Sequence, residues 1–168
     1  MKGTDLLTVD QIKSYDPCSE GYKFFLTHFP DGGEYQAILD KCCEAGRSDW
    51  AEWLIRKVGP TEDVREYDEH VSSTELSIVF AGRVVFKLGA VVKRLIAGLG
   101  IEAGEGIEAG WGIEAGEGIK AGWGIKAGEG YGVFAGLRIR LSMWSRYAKV
   151  TAKSKPDNLI SGEWEEMK

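Results

Sequence analysis

Gly98-Leu99-Gly100-Ile101-Glu102-Ala103-Gly104-Glu105-Gly106-Ile107-Glu108-Ala109-Gly110-Trp111 opens a run in which one six-residue phrase, Gly-Ile-Glu/Lys-Ala-Gly-Glu/Trp, recurs through residue 136. The register can be read from Leu95. Its first apolar position holds Leu95, Ile101, Ile107, Ile113, Ile119, Ile125, Tyr131 and Leu137, and its second holds Ala97, Ala103, Ala109, Ala115, Ala121, Ala127, Val133 and Ile139. Residues two apart share one side of an extended segment, so Glu102, Glu108, Glu114, Lys120 and Lys126 take the other side. Each unit therefore reads as a very short strand. The glycine pair that follows it reads as a corner supplying unusual backbone angles. A strand and a corner repeated in this way predict a parallel β-solenoid, or β-helix.

Stacking decides how many units close one coil. Two units per coil would place Glu105, Glu117 and Glu129 in one ladder of like charge, although Trp111 would then stack on Trp123. Three units place Glu102 against Lys120, Glu108 against Lys126, Glu105 beside Trp123 and Trp111 beside Glu129. The three-sided arrangement of eighteen residues per coil is favoured, with three to four coils; a two-sided roll or a meander is the alternative. The narrow Ile/Ala interior leaves no room for a buried ligand.

The flanks carry different signals. Residues 1–60 have helix punctuation: a capping box at Thr8-Val9-Asp10-Gln11, a start at Asp16-Pro17, and Gly46 as a C′ residue followed by Ser48 as a cap. Apolar residues recur at helical spacing as Tyr22, Phe25, Leu26, Phe29, then Tyr35, Ile38, Leu39, Cys42, then Trp50, Trp53, Leu54. Four short helices make a small unit expected to cap one end of the solenoid. Residues 61–74 are acidic and read as a linker. Solenoid strands are expected over 75–155, although residues 89–94 could form a helical turn. Leu137, Ile139, Leu141 and Met143 continue the alternation, with Arg138, Arg140 and Trp144 outward. Residues 156–168 read as an acidic tail. The fold class is thus α+β.

Composition sets limits on function. The 168 residues are 43% hydrophobic with net charge −5, a folding chain without the clustered basic excess of a general nucleic-acid binder. Residues 1–74 carry fifteen acids and eight bases, whereas 131–155 carry six bases and no acid. Adjacent Cys42 and Cys43 with Cys18 fit neither a disulfide framework nor a zinc pattern, so a reducing cytoplasm is expected. Arg83, Lys87, Lys93 and Arg94 break the most apolar window, which argues against a membrane span. No signal peptide is read at the N-terminus.

The candidate site residues are surface residues. Trp111 and Trp123, set between glycines at corners, read either as interface anchors or as covers over a neighbouring coil. Glu105, Glu117 and Glu129 share their hexad position. Arg138 and Arg140 with Trp144 form a basic-aromatic strip that could hold nucleic acid, but a polar strand face balancing the acidic N-terminal unit is preferred. His28 and the cysteines match no catalytic order or metal spacing, and the glycines around Tyr131 lack the Lys-Ser/Thr of a phosphate loop. No catalytic set, metal or cofactor is expected.

The phrase Gly-Ile-Glu-Ala-Gly-Glu-Gly-Ile-Glu-Ala-Gly-Trp resembles the hexad runs of uncharacterised phage and prophage proteins. In these, a helical segment similar to Gly46-Arg47-Ser48-Asp49-Trp50-Ala51 and Trp53-Leu54 precedes the repeat. The resemblance implies a phage setting in a bacterial host cell. By analogy it implies a non-enzymatic inhibitor of a host defence or nucleic-acid-handling complex, such as an anti-CRISPR or other counter-defence protein. A self-assembling scaffold is the other expectation, and a homo-oligomer is compatible with both.

Overall fold

The computed structural model describes residues 1–168, as a short helical region followed by a three-sided parallel β-solenoid. The helical region holds α1 (Val9–Ser14), α2 (Ser19–His28), α3 (Tyr35–Glu44) and α4 (Ser48–Val58), tied by a short antiparallel pair of β1 (Leu6–Leu7) and β2 (Gly33–Glu34). Thr8 caps α1 in the expected capping box, and Gly46 after α3 takes φ +74°. Two expected starts move. Cys18, not Asp16, caps α2, its thiol accepting from the Gly21 N–H at 3.4 Å. Ser48 is buried as the first residue of α4 and is not its cap.

The solenoid begins at Val64, eleven residues before the expected start at 75. Its strands are β3 (Val64–Tyr67), β4 (Val71–Phe80), β5 (Arg83–Phe86), β6 (Ala90–Ala97), β7 (Ile101–Ala103), β8 (Ile107–Ala109), β9 (Ile113–Ala115), β10 (Ile119–Ala121), β11 (Ile125–Ala127) and β12 (Val133–Phe134). After a 3-10 turn (Leu141–Met143) and α5 (Trp144–Tyr147) come β13 (Lys149–Ala152), β14 (Leu159–Ser161) and β15 (Glu163–Glu166). The supposed linker is therefore the first coil, and the supposed tail supplies the last two strands. Residues 90–94, expected as a possible helical turn with Gly89, are strand, because β6 bends around a corner and pairs with β8 through Ala90–Val92 and with β9 through Leu95–Ala97.

Three faces result. The first stacks β3, β5, β7, β10, β13 and β15 as six rungs. The second stacks the opening halves of β4 and β6 with β8 and β11, and the third stacks their closing halves with β9, β12 and β14. The eighteen-residue coil is observed in the repeat: Lys120 lies beside Glu102, and Lys126 beside Glu108. The Lys126–Glu108 pair closes to 3.5 Å, whereas Glu102 takes Arg83 at 3.1 Å.

The register slips once. Val133 pairs with Ile113, twenty residues earlier, so the corner after β11 is two residues longer. Val133 and Ala135 thereby fill the buried positions, and Tyr131 and Leu137 lie on the surface. Residues 137–147 leave the solenoid as turn and short helix, so the alternation expected through Met143 is absent.

The glycines act by close approach and not by unusual angles. Those at positive φ are Gly32, Gly46, Gly59, Gly130, Gly136 and Gly162, none in the regular hexads. A Cβ on Gly122 would sit 1.9 Å from the Gly104 carbonyl oxygen of the coil beneath, and one on Gly116 would sit 2.0 Å from that of Gly98. The second glycine of a unit is freer: a Cβ on Gly106 would meet its nearest neighbour, the Gly124 carbonyl, at 3.6 Å.

The helical unit lies against the flank of the third face, so the expected end cap is only partly realised. Val79 and Ile96 point outward there and join Leu39, Leu54 and Ile55 in one buried cluster. Gln36 donates to the Val79 carbonyl at 3.0 Å and accepts from the Ala81 N–H at 3.0 Å, satisfying the open edge of β4 as a further strand would. Arg65 ends the core beneath it, its guanidinium over Phe80 at 4.6 Å and doubly bonded to Asp40.

Gly122→Ala is expected to cost at least about 3 kcal/mol, since its neighbour is backbone that cannot yield, and Gly106→Ala to stay within about 1 kcal/mol. Urea unfolding of the two variants checks this.

Candidate interaction surface

Each face carries a column of outward residues, and the three columns differ in kind. On the third, Val79 and Ile96 are covered, and Glu114 is locked beneath α4. There the Arg94 guanidinium donates to Glu52 at 2.6 Å and to Glu114 at 2.8 Å, with Arg56 also paired to Glu52. Arg94 and the two carboxylates that share it are 14–18% exposed, so the clamp is shielded from solvent. On the first face, Arg83 bridges Glu102 and Glu117, and Lys149 faces Glu163 at 3.4 Å. The second face shows Ser72, Val91, Glu108 and Lys126, with no element packed across it.

Both corner tryptophans border this second face. Trp111 follows β8 and Trp123 precedes β11; since those strands are parallel and in register, the two rings stand at opposite edges, one coil apart. Their environments differ. Trp111 is 39% exposed, with the Lys93 ammonium 4.5 Å from its ring and Tyr131 stacked on it at 6.1 Å and 11°. The two-residue slip brings Tyr131 onto the Trp111 ring. Trp123 is 59% exposed. Its backbone N–H donates to the Glu105 carbonyl at 3.2 Å, which places Glu105 one rung below as expected from the eighteen-residue coil.

A cleft of ≈840 Å³ opens along this face, walled by Glu105, Glu108, Trp123, Lys126, Glu129 and the 154–158 loop, with His70 at its margin. Asn158 fixes that loop, donating to the Tyr131 carbonyl at 2.6 Å and to the Ala127 carbonyl at 3.1 Å. The hexad pattern carries no sign of this loop, which joins β13 to β14 and begins the stretch expected to be an acidic tail.

The remaining candidates are dispersed. Glu117 lies at the corner between the third and first faces, bound to Arg83 at 2.7 Å. Arg138 does not project from a strand; it donates to the Ile55 carbonyl at 2.6 Å and ties residues 137–140 to α4. Arg140 is on an exposed turn, and Trp144 is half-buried over Gly136. No basic-aromatic strip forms, because the chain from 137 to 147 coils away from the sheet.

A second cavity of ≈590 Å³ lies inside the helical unit, walled by Phe24, Phe25, Cys42, Trp50 and Trp53. Its one cation, Arg47, stacks on Trp50 at 3.5 Å and is held by Asp49 at 2.7 Å. His28 is exposed and donates through Nδ1 to the Phe24 carbonyl at 2.9 Å. Burial pushes the Cys42 thiol up to about 12 and that of Cys43 up to about 11, so neither supplies thiolate near neutral pH.

Residues 1–59 match the family model of the YdhT N-terminal domain, which coincides with the helical unit and stops before the solenoid. No curated protein and no solved structure gives a match to the chain. No helix is long and apolar enough to cross a membrane.

Iodoacetamide at pH 8 is expected to label exposed Cys18 alone in the folded chain, and all three thiols after denaturation. Intact mass before and after unfolding checks it. Equal labelling of Cys42 in the native state would contradict its burial.

Proposed function

We propose that the chain is a non-enzymatic binding protein that uses the second solenoid face to occlude a partner. In its finer form, this is a phage-type inhibitor of a host defence or nucleic-acid-handling complex, working in the bacterial cytoplasm. The observation that carries the reading is the asymmetry of the prism. The third face is consumed by the helical unit, whereas the second is open and bordered at both edges by exposed tryptophan, a residue that concentrates binding energy at interfaces. The rigid coil holds these rings without further ordering, which lowers the entropic cost of association. Glu105, Glu108 and Glu129 give the face the sign of a phosphate backbone, consistent with occupying a basic groove on a nucleic-acid-handling partner. The hexad pattern and the helical segment before it support the phage setting.

A self-assembling scaffold is the second reading, and the open backbone edges favour it. The outer edges of β3 and of β15 pair with no other strand. Both ends are acidic, however, with Glu62, Asp63, Glu66, Asp68 and Glu69 around β3 and Glu163, Glu165 and Glu166 on β15, so copies approaching end to end repel.

Affinity capture from a bacterial lysate by the full chain is expected to recover a partner that the Trp111→Ala/Trp123→Ala double variant loses by at least about tenfold. Unchanged recovery would remove the second face from the reading. Light scattering across salt separates the scaffold: screening should raise the mass if ends stack, and a constant monomer mass excludes it.

A further inference from the structure

We infer that Trp123 is the seat for a cationic side chain, arginine or lysine, carried by a segment of the partner lying along the second face; this rests on the binding role proposed for that face. The two corner tryptophans are not equivalent. Cations in this chain lie over the rings of Trp50, Phe80, Trp111 and Tyr147. Trp111 is thus already occupied by Lys93, with Tyr131 stacked on it as well. Trp123 holds the same hexad position at the opposite edge, with 59% of its surface open.

The polar groups around Trp123 select the same chemistry. Glu105 stands one rung beneath it and Lys153 one rung above, its backbone N–H donating to the Trp123 carbonyl at 2.8 Å, while Glu129 and Asp157 line the same cleft. Lys126 is drawn to Glu108 at 3.5 Å, which leaves Lys155 as the other ammonium of the cleft wall. Four carboxylates thus face two ammonium groups in a space of ≈840 Å³, enough for several residues of extended peptide. A phosphate would meet carboxylates on each side, and an aliphatic side chain would leave them without a use. A guanidinium or ammonium satisfies the aromatic face and the carboxylates together.

The test is a titration of the full-length chain, followed through its indole N–H signals by NMR, with Trp123 assigned from a Trp123→Phe variant. The probes are the blocked hexapeptide (Gly-Arg)3 and its charge-reversed control (Gly-Glu)3. The Trp123 signal is expected to shift saturably with the arginine peptide alone. Trp111 should stay nearly still, and Glu105→Gln should weaken binding by about tenfold. Equal response to both peptides, movement of Trp111 in place of Trp123, or no shift at millimolar probe would overturn the inference. If the probe fails while lysate capture still depends on Trp123, the cationic seat falls and the binding role of the face stands. If capture is indifferent to both tryptophans, the binding role itself falls.

Discussion

A carbonyl oxygen of one coil stands where the Cβ of the glycine above it would be: 1.9 Å separates that position on Gly122 from the Gly104 oxygen, and on Gly128 from the Gly110 oxygen. Coils can stack at this corner only without a side chain. Once that approach is fixed, the strand between corners is short, its two inward residues must be small enough to share a narrow triangular interior, and Ile with Ala meets that need. The residue between the glycine pair has no inward option and is displayed, which is why Glu105, Trp111, Glu117 and Trp123 are surface groups by construction.

The three sides of the prism are treated differently, and the binding role proposed above rests on that difference. Val79 and Ile96 turn the third face apolar, and the helical unit buries them, with the Arg94 clamp and the Gln36 edge contact fixing its place. The first face neutralises itself through Arg83 and Lys149. The second keeps its tryptophans and carboxylates for solvent. Rigidity serves this display, since corner residues on a stacked backbone hold their spacing, which would lower the ordering cost of the proposed association.

The repeat was legible where charge and periodicity acted together. The avoidance of a Glu105–Glu117–Glu129 ladder picked out the eighteen-residue coil, and the Lys126–Glu108 pairing follows from it. The first and last coils were not legible, because residues 64–80 and 149–166 build the same rungs without glycine hexads, from a long bent strand at one end and a contracted coil at the other. The lateral docking of the helices had a signal that alternation alone did not exploit: Ile78-Val79-Phe80-Ala81 is apolar at every position, as a strand covered on both faces requires. The slip at Gly130 and the fate of Arg138 depend on loop geometry with no period, so the sequence suggested a strand where a turn and a tether formed. Trp111 and Trp123 looked alike in the hexad, and only the stacked neighbours Lys93 and Tyr131 separate them.

The claim on which all of this depends is the stacking of positions eighteen apart, and engineered disulfides test it directly. Glu108 and Lys126 are Cα partners on adjacent rungs, within reach of a disulfide, whereas Lys120 belongs to a different face from Glu108. Under mild oxidation, the Glu108→Cys/Lys126→Cys chain should cross-link within the folded monomer and Glu108→Cys/Lys120→Cys should not. Efficient cross-linking of the second pair in place of the first would mean a twelve-residue coil, and would contradict the three-sided fold and the bare face derived from it.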